Sequence, residues 1–259
     1  MIEQKIPLFY SGNILKHEMM ESLRDYALDF STLHYTGYAD GIIRGCEVIA
    51  TDNMIIIQRG MILSGGIPVY ITEPAKVKYE PTNRINCLVA RVGDITEDRL
   101  YKRRQIDFVL VNAEEKEERD IEICRFRLQN GAKLRYVYRD LEDMNTEFDT
   151  VCQLSANWAS FGEGTISYGI LNQFAKDAEK YGVKNSEDRQ FLNQIYALQG
   201  ESLPINCIRS YLTGRLGRTC MQYKHEEIHG ALVEVLKQTK GGRFSTMNRT
   251  MRERRIIVD

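Results

Sequence analysis

Short apolar runs alternate with turn residues through the first half of the chain. Between Gly41 and Ile71 the runs are rich in isoleucine and valine, and glycines or the pair Asp52-Asn53 separate them. β-branched residues suit a pleated, half-buried strand, and glycine and asparagine accept the positive φ angles of tight hairpins. This stretch therefore predicts a string of short antiparallel strands, whose turns take their shape from five glycines: Gly41, Gly45, Gly60, Gly65 and Gly66.

Further strands and one leading helix complete the predicted N-terminal part. Polar turns separate four more strands, at Lys76 to Tyr79, Arg84 to Val92, Gln105 to Val111 and Asp120 to Leu128. Near the N-terminus, apolar residues at three- and four-residue steps predict a helix from about Ile14 to Phe30, with Asn13 as its cap. The charged run at residues 113–119 predicts a solvated hairpin tip or a helical turn.

The second half of the chain has the period of helices. Residues 139–149, which precede most of it, are charged and poor in apolar side chains, as is typical of a boundary or linker. Helices are predicted from Thr146 to Ser160, from a cap at Thr165 to Tyr181, from Ser186 to Gly200, after Pro204, and from Thr219 to Lys240.

Strands followed by helices, without alternation, indicate an α+β fold rather than a parallel sheet. We expect a mainly antiparallel β N-terminal part with a leading helix, followed by an α-helical C-terminal part. The predicted division has three parts: a β-rich docking domain at residues 1–140, a helical domain at residues 141–242, and a basic C-terminal arm at residues 243–259.

The glycine-rich stretch also resembles a module of contractile phage tail proteins. The likeness covers roughly residues 8–75 and includes the lead-in Phe9-Tyr10-Ser11-Gly12. Cys46 stands where the module has an aliphatic residue, and the C-terminal half shows no comparable likeness. The residues that carry the likeness are Gly41-Ile42-Ile43, Gly45, Glu47-Val48, Gly60 and Gly65-Gly66.

This resemblance implies a structural subunit, without enzymatic activity or cofactor, of a contractile phage tail or a tail-like bacteriocin. Its expected place is the baseplate or the point of tail-fibre attachment. Such a subunit is made in the bacterial cytoplasm and assembled into the particle. Its expected partners are other tail or baseplate proteins and further copies of itself in a homo-oligomer. Its function is mechanical, because it holds geometry and passes receptor contact on as a rearrangement.

Composition excludes several other classes of function. The 259-residue chain has a net charge of −1, with 43% apolar and 27% charged residues. This balance is typical of a soluble globular protein and gives no global basic field for nucleic acid or an anionic membrane. No apolar run approaches the roughly 20 residues of a membrane helix, and we expect no secretion signal. The six scattered cysteines form no C-x-x-C pair, so we expect reduced thiols and no metal finger.

One motif offers an enzymatic alternative. His225-Glu226-Glu227-Ile228-His229 is an H-E-x-x-H sequence inside a predicted helix. Histidines four residues apart share a helix face and can bind one zinc ion, and Glu226 could activate a zinc-bound water. A zinc-dependent hydrolase is therefore the second hypothesis. Leu232 and Val235 stand where the longer metzincin form has Gly and His, and Glu253 lies among arginines. We therefore expect a polar helix face without metal.

Two glycine-containing turns could in principle bind an anion through main-chain N–H groups. They are Gly162-Glu163-Gly164-Thr165 and Gly214-Arg215-Leu216-Gly217-Arg218. Neither matches a nucleotide-binding loop, and both are more typical of plain turns between helices.

The arginine-rich C-terminus allows three interpretations. It could dock on an acidic partner, remain a free tail, or bind nucleic acid through phosphates, which is the third functional hypothesis. Phe244 is the single aromatic residue after Gly242, so base stacking has little support. We favour an arm that binds a partner and ends in a strand that could extend a neighbouring sheet, with these contacts: Arg252, Arg254, Arg255, Ile256 and Ile257.

Overall fold

The computed structural model describes residues 5–240, in which one helix precedes a run of strands and four helices follow it. Helix α1 covers His17–His34. The strands are β1 (Gly41–Gly45), β2 (Val48–Ala50), β3 (Met54–Ile57), β4 (Gly60–Ser64), β5 (Ile67–Ile71), β6 (Ala75–Lys78), β7 (Ile85–Val92), β8 (Thr96–Glu97), β9 (Lys102–Arg103), β10 (Ile106–Asn112) and β11 (Ile121–Arg127). The pairings of these strands with one another are antiparallel. The predicted α+β fold class is therefore confirmed.

Within the described residues the strands form three three-stranded sheets and a short hairpin. β4 lies between β1 and β5, β3 between β2 and β6, and β7 between β10 and β11, while β8 pairs with β9. The four later predicted strands lie within one residue of their observed bounds. Because β10 and β11 lie on opposite sides of β7, the charged run between them forms a 3-10 turn at Ala113–Glu115 and not a hairpin tip.

The sheets share one hydrophobic core, which we call the β core. It is built from inward-facing residues of several strands, because successive side chains of a strand point to opposite faces. Its members include Ile42 of β1, Ile55 and Ile57 of β3, Ile62 of β4, Leu88 of β7 and Ile123 of β11.

The second half contains α2 (Tyr168–Tyr181), α3 (Ser186–Ala197), α4 (Ile205–Leu216) and α5 (His225–Lys240). The apolar faces of these helices meet in a second core, which we call the helical core. Phe174 and Phe191 pack edge to face there, with ring centroids 5.9 Å apart. The predicted ends of α2 at Tyr181 and of α5 at Lys240 agree with the structure, as does the start of α4 after Pro204.

Three helix starts differ from the prediction, and for α2 the reason is a different capping side chain. Ser167, and not Thr165, caps α2 by accepting a 2.9 Å hydrogen bond from the N–H of Gly169. Thr165 is buried and donates its hydroxyl to the carbonyl of Leu203 at 2.7 Å. Helix α1 begins at His17 after Lys16, so Asn13 is not its cap, and α5 begins only at His225.

The predicted helix from Thr146 to Ser160 is wrong. Its main chain pairs with neighbouring strands instead, and Cys152 exchanges hydrogen bonds of 2.7 and 2.8 Å with Arg125 of β11. Trp158 forms a parallel bridge with Ile42 of β1. Tertiary pairing therefore overrides the local helical pattern, because main-chain groups beside a sheet edge find partners there.

Residues 141–166, which we call the connecting segment, contribute to both cores. Val151, Ala156 and Trp158 enter the β core. The side chains that enter the helical core are Leu141, Met144, Leu154 and Ile166. Leu141 and Met144 are buried, so residues 139–149 do not form a solvated linker, while their role as a domain boundary stays a prediction. The predicted domain division at residue 140 stays a prediction.

Two buried carboxylates, one in the connecting segment and one in β11, form ion pairs with neighbouring basic side chains. Asp143 accepts hydrogen bonds from the guanidinium of Arg135 and from the N–H of Arg139, the latter at 2.9 Å. The Arg135 hydrogen bond holds the pKa of the Asp143 carboxyl well below its usual range. Glu122 of β11 is fully buried and accepts from Lys116 and Arg125, each at 2.7 Å. Both acids are thus compensated by opposite charge, as buried ions require.

We predict that Asp143→Asn lowers the free energy of unfolding by about 2–4 kcal/mol, because it leaves Arg135 without its buried counter-charge. Urea unfolding at pH 7 measures the change. Asp52→Asn is the matched control, since the Asp52–Lys133 pair is 83% exposed on both sides and its loss should cost less than about 1 kcal/mol. Equal losses in the two variants would contradict the assignment.

The same ion pair gives stability a defined pH dependence. The folded-state pKa of Asp143 lies below its unfolded value of about 3.9, so its contribution is complete above that value and is lost as the pH falls below it. Acid unfolding curves should therefore separate wild type from Asp143→Asn near neutral pH and converge on acidification. Curves that stay parallel throughout would contradict this source of stability.

Candidate partner-binding surface

The N-terminal segment of the described chain exposes an unusual amount of apolar surface. Helix α1 contains no buried residue. Exposed large hydrophobic side chains occur along residues 5–34: Ile6, Leu8, Phe9, Tyr10, Ile14, Leu15, Met20, Leu23, Tyr26, Leu28, Phe30 and Leu33. A contiguous apolar surface of this kind marks an interaction site more often than a free face.

An apolar stripe of α1 is open to solvent along most of its length. We define it as a seam of Met19, Leu23, Tyr26, Phe30 and Leu33. Met19 is partly covered, as are Glu21, Ser22 and Ser31 of the helix, and α1 lies against β5. Exposure along the seam rises from 49% at Leu23 to 74% at Leu33. An ordinary surface helix packs its apolar face on the core, whereas most of this seam is open to solvent.

An extended stretch before α1 widens the same surface. Residues 5–9 run beside the first half of the helix. A shallow groove lies between the two, lined by Ile6, Pro7 and Phe9 on one side and by Ser22, Leu23 and Tyr26 on the other. The groove is mostly apolar, with Lys5 and Ser22 as its polar lining residues, so it suits a hydrophobic side chain or helix of another molecule.

The base of α1 is fixed, although its seam is open. Tyr35 and Tyr38 pack edge to face with centroids 5.5 Å apart, and Tyr38 packs on Phe161 of the connecting segment at 6.1 Å. The N–H of Ala39 donates to the carbonyl of Ser160 at 2.9 Å. The direction in which α1 leaves the β core is thus set by the connecting segment.

The five glycines selected from the sequence lie at turns and close approaches of the β part. Gly45 pairs with Gly60 across β1 and β4. A Cβ on Gly60 would lie 2.5 Å from the sulfur of Cys46, and Gly45 has a φ of 72°, so a side chain at either position is disfavoured. Gly65 and Gly66, with φ of 60° and 73°, form the β4–β5 turn, and Gly41 begins β1 beside Asn157.

The proposed arm lies outside the described residues. Arg252, Arg254, Arg255, Ile256 and Ile257 all fall after residue 240, so their role as partner contacts stays a prediction.

The two histidines of the H-E-x-x-H motif act as struts between α5 and the connecting segment. Nδ1 of His225 is 3.1 Å from the carbonyl oxygen of Leu154, and Nε2 of His229 is 2.8 Å from that of Leu141. Burial lowers the pKa of both imidazoles, which keeps them neutral donors to these carbonyls. Within residues 5–240 no group of three or more His, Cys, Asp or Glu side chains is arranged to hold a metal ion.

The other candidate anion sites hold carboxylates of the chain itself. Glu163 pairs with Arg209 at 2.7 Å, and Arg215 pairs with Asp188 at 2.9 Å. Arg218 pairs with Glu234. These arginines therefore join helices and turns of the helical part, and a phosphate would have to displace an internal partner from each.

Most of the six cysteine side chains in residues 5–240 are buried. All six cysteines are free, and Cys46, Cys87, Cys124 and Cys220 are buried. Burial raises the pKa of the Cys46 thiol to about 12, so it behaves as a small apolar group. No helix of residues 5–240 is both long and apolar enough to cross a membrane.

The sequence pattern found α1 but not the direction of its apolar face. Three- and four-residue steps show that a helix has an apolar stripe, yet a stripe that packs on a core and a stripe that faces solvent have the same steps. A usable signal was the strict heptad spacing from Met19 to Leu33, because a coiled-coil seam is narrower than the apolar face of a helix that packs on a core.

Comparison with known proteins finds a distant likeness to solved structures. No protein-family model matches the chain, and no curated protein matches it either. The crystal structure of TssK is 10% identical over 94% of this chain and 70% of that chain, with a TM-score of 0.41. The TssK-TssF-TssG baseplate subcomplex of the type VI secretion system, seen by cryo-electron microscopy, is 9% identical over 92% of this chain and 100% of that chain, with a TM-score of 0.38.

A third solved structure, the baseplate complex from the type VI secretion system, is 10% identical over 92% of this chain and 88% of that chain, with a TM-score of 0.24.

The strut role of His229 predicts a pH-dependent stability. Burial lowers the folded-state pKa of His229, so on acidification this imidazole is protonated in the unfolded chain before it is in the folded chain. The free energy of unfolding therefore falls as the pH drops below about 6.5. His229→Gln keeps a neutral donor for Leu141 and removes the titration, so its unfolding free energy should fall less between pH 7 and pH 5. The exposed His34→Gln serves as control and should keep the wild-type slope. A wild-type slope in His229→Gln would contradict the strut role.

Proposed function

We propose that this chain is a non-enzymatic structural subunit of a contractile phage tail or tail-like bacteriocin, in the baseplate or at the point of fibre attachment. The observation that carries the proposal is the outward apolar surface of residues 5–34, set on a fixed base. Monomeric proteins rarely leave so much contiguous apolar surface in water, whereas subunits of an assembly cover it with a neighbour. The resemblance of residues 8–75 to tail modules supports the choice of particle.

The structure suggests how such a subunit would act mechanically. A neighbouring subunit bound to residues 5–34 would contact α1. The C-terminal end of α1 is joined to the connecting segment through the ring contacts of Tyr35 with Tyr38 and of Tyr38 with Phe161. The connecting segment enters both cores, so a displacement of α1 would reach the β part and the helical part together. This proposal includes synthesis in the bacterial cytoplasm, assembly into a particle, and partners among other tail or baseplate proteins.

The zinc hydrolase remains the second hypothesis, with a weaker basis in the structure. Its two histidines point to different carbonyl oxygens, those of Leu154 and Leu141, and both are at hydrogen-bond distance. Zinc binding would require each ring to leave its partner. Metal analysis of the purified chain, with His225→Ala as comparison, discriminates the two hypotheses: about one zinc per chain, lost in the variant, would favour the hydrolase.

Sedimentation of a lysate through a density gradient tests the proposed function. We expect the chain to run with tail-like particles that are visible by negative-stain microscopy. Ile14→Lys with Leu15→Lys should reduce that fraction at least tenfold, because both residues are exposed and their charge would oppose burial at an interface. Leu100→Lys, which alters an equally accessible leucine near the β8–β9 hairpin, should leave it unchanged.

A chain that stays at the top of the gradient in its wild-type form would contradict the proposal. Which contractile particle carries the chain is read from the microscopy of the same fractions. The gradient also tests the arm, since truncation after Gly242 should release the chain from particles if Arg252, Arg254 and Arg255 bind a partner. Binding of the full chain to nucleic acid with a steep salt dependence would favour the third hypothesis.

A further inference from the structure

We infer that α1 is a self-association element, and that its seam packs in parallel against α1 of a second copy of this chain. The inference rests on the proposed function in that it names one occupant of the exposed N-terminal surface. It follows from the spacing of the seam, the charges beside it and the area it offers.

The spacing of the seam is that of a coiled coil. From Met19 the apolar residues follow steps of four, three, four and three, which place Leu23 and Phe30 at a positions and Met19, Tyr26 and Leu33 at d positions of a heptad. A helix that packs on a globular core usually has a broader apolar face. Four of these a and d residues, Leu23, Tyr26, Phe30 and Leu33, are exposed, and α1 contacts β5 without burying any of its own residues.

The residues beside the seam favour a parallel arrangement. In parallel coiled coils a g residue faces the e′ residue five positions later in the partner. Here Asp29 at g would face His34 at e′, a carboxylate opposite an imidazole that can donate a hydrogen bond, and Ser22 would face Ala27. An antiparallel pair places g opposite g′ and e opposite e′, which loses this pairing of Asp29 with His34. Identical copies meeting along one surface also satisfy the self-complementarity of a symmetric interface.

The area is sufficient for a specific but modest association. At about 200 Å² for a fully exposed large apolar residue, the exposed fractions of Leu23, Tyr26, Phe30 and Leu33 correspond to roughly 500 Å² per copy. Ile6 and Phe9 line the adjoining groove and would raise this to roughly 750 Å², close to the 800 Å² per partner of a standard interface. The seam spans fewer than three heptads, so we expect association that depends on protein concentration.

A lipid surface fits α1 less well. Membrane-binding amphipathic helices carry lysine and arginine on the polar side. The helix here carries one arginine, Arg24, against four acids: Glu18, Glu21, Asp25 and Asp29. Flotation of the chain with vesicles that contain phosphatidylglycerol, lost on substitution of the seam, would overturn the inference.

Light scattering of the full chain after size exclusion tests self-association. We expect a mass of at least twice the monomer at high micromolar concentration, and a monomer for Leu23→Lys with Phe30→Lys. Leu28→Lys is the matched control, because Leu28 is 56% exposed on the same helix but lies opposite the seam. Circular dichroism should be unchanged in the three proteins. A monomeric wild type, or equal dissociation by Leu28→Lys, would overturn the inference.

Disulfide trapping tests the parallel arrangement. In a Cys207→Ser background, which removes the exposed native thiol, Leu33→Cys should form an intermolecular disulfide under mild oxidation, since identical d positions meet in a parallel pair. Thr32→Cys, an exposed neighbour outside the seam, should form little. Failure of Leu33→Cys to cross-link in an associated protein would overturn the parallel arrangement.

Failure of self-association and failure of the proposed structural role give different experimental outcomes. If the chain runs with tail-like particles but is monomeric when purified, the self-association fails and the structural role stands. If the chain associates through the seam but never runs with particles, the structural role fails and the self-association stands.

Discussion

Main-chain hydrogen bonds of the connecting segment join parts of the molecule that are far apart in sequence. The carbonyl of Asn157 accepts from Ile42 of β1 at 2.7 Å, and the N–H of Asn157 donates to Glu122 of β11 at 2.9 Å. The carbonyls of Leu141 and Leu154 meet the imidazoles of α5. An irregular segment can be buried only when its polar groups find such partners, and here the partners come from both cores. The relative placement of sheets, helices and α1 therefore depends on this segment.

The same segment explains why the molecule combines a fixed base with an open surface. Apolar residues of β1, β3, β4, β7 and β11 are covered inside the β core, and those of α2 to α5 inside the helical core. The apolar seam of α1 has no such cover, although its base at Tyr38 is anchored to Phe161. Exposed apolar area on an otherwise well-packed chain lowers its solubility. We therefore interpret the seam as an interaction surface that a partner covers.

The local sequence pattern predicted most of the helices and strands. The segments that it predicted wrongly have a common physical cause, which is pairing with residues distant in sequence. Glycine punctuation placed the strands, and the ends of α2 and α5 agree, since these signals act within a few residues. The segment around Cys152 and Trp158 reads as a helix but pairs with strands whose edges lie nearby only in three dimensions. The H-E-x-x-H motif is a similar case, because the carbonyls that hold its imidazoles come from more than 70 positions away. The sequence predicted part of the candidate surface. The apolar spacing of α1 is visible in the sequence, but the exposure of its seam depends on which surfaces the sheets leave uncovered in three dimensions.

Hydrogen–deuterium exchange of the full chain, read by segment, tests the central claim most directly. We expect amides of the connecting segment to exchange slowly at every concentration, whereas those of α1 exchange fast in dilute solution and become protected in the assembled state. A connecting segment that exchanges as fast as α1 would contradict its role as the base. Equal protection of α1 in the dilute and assembled chain would contradict the claim that its apolar seam is kept for a partner.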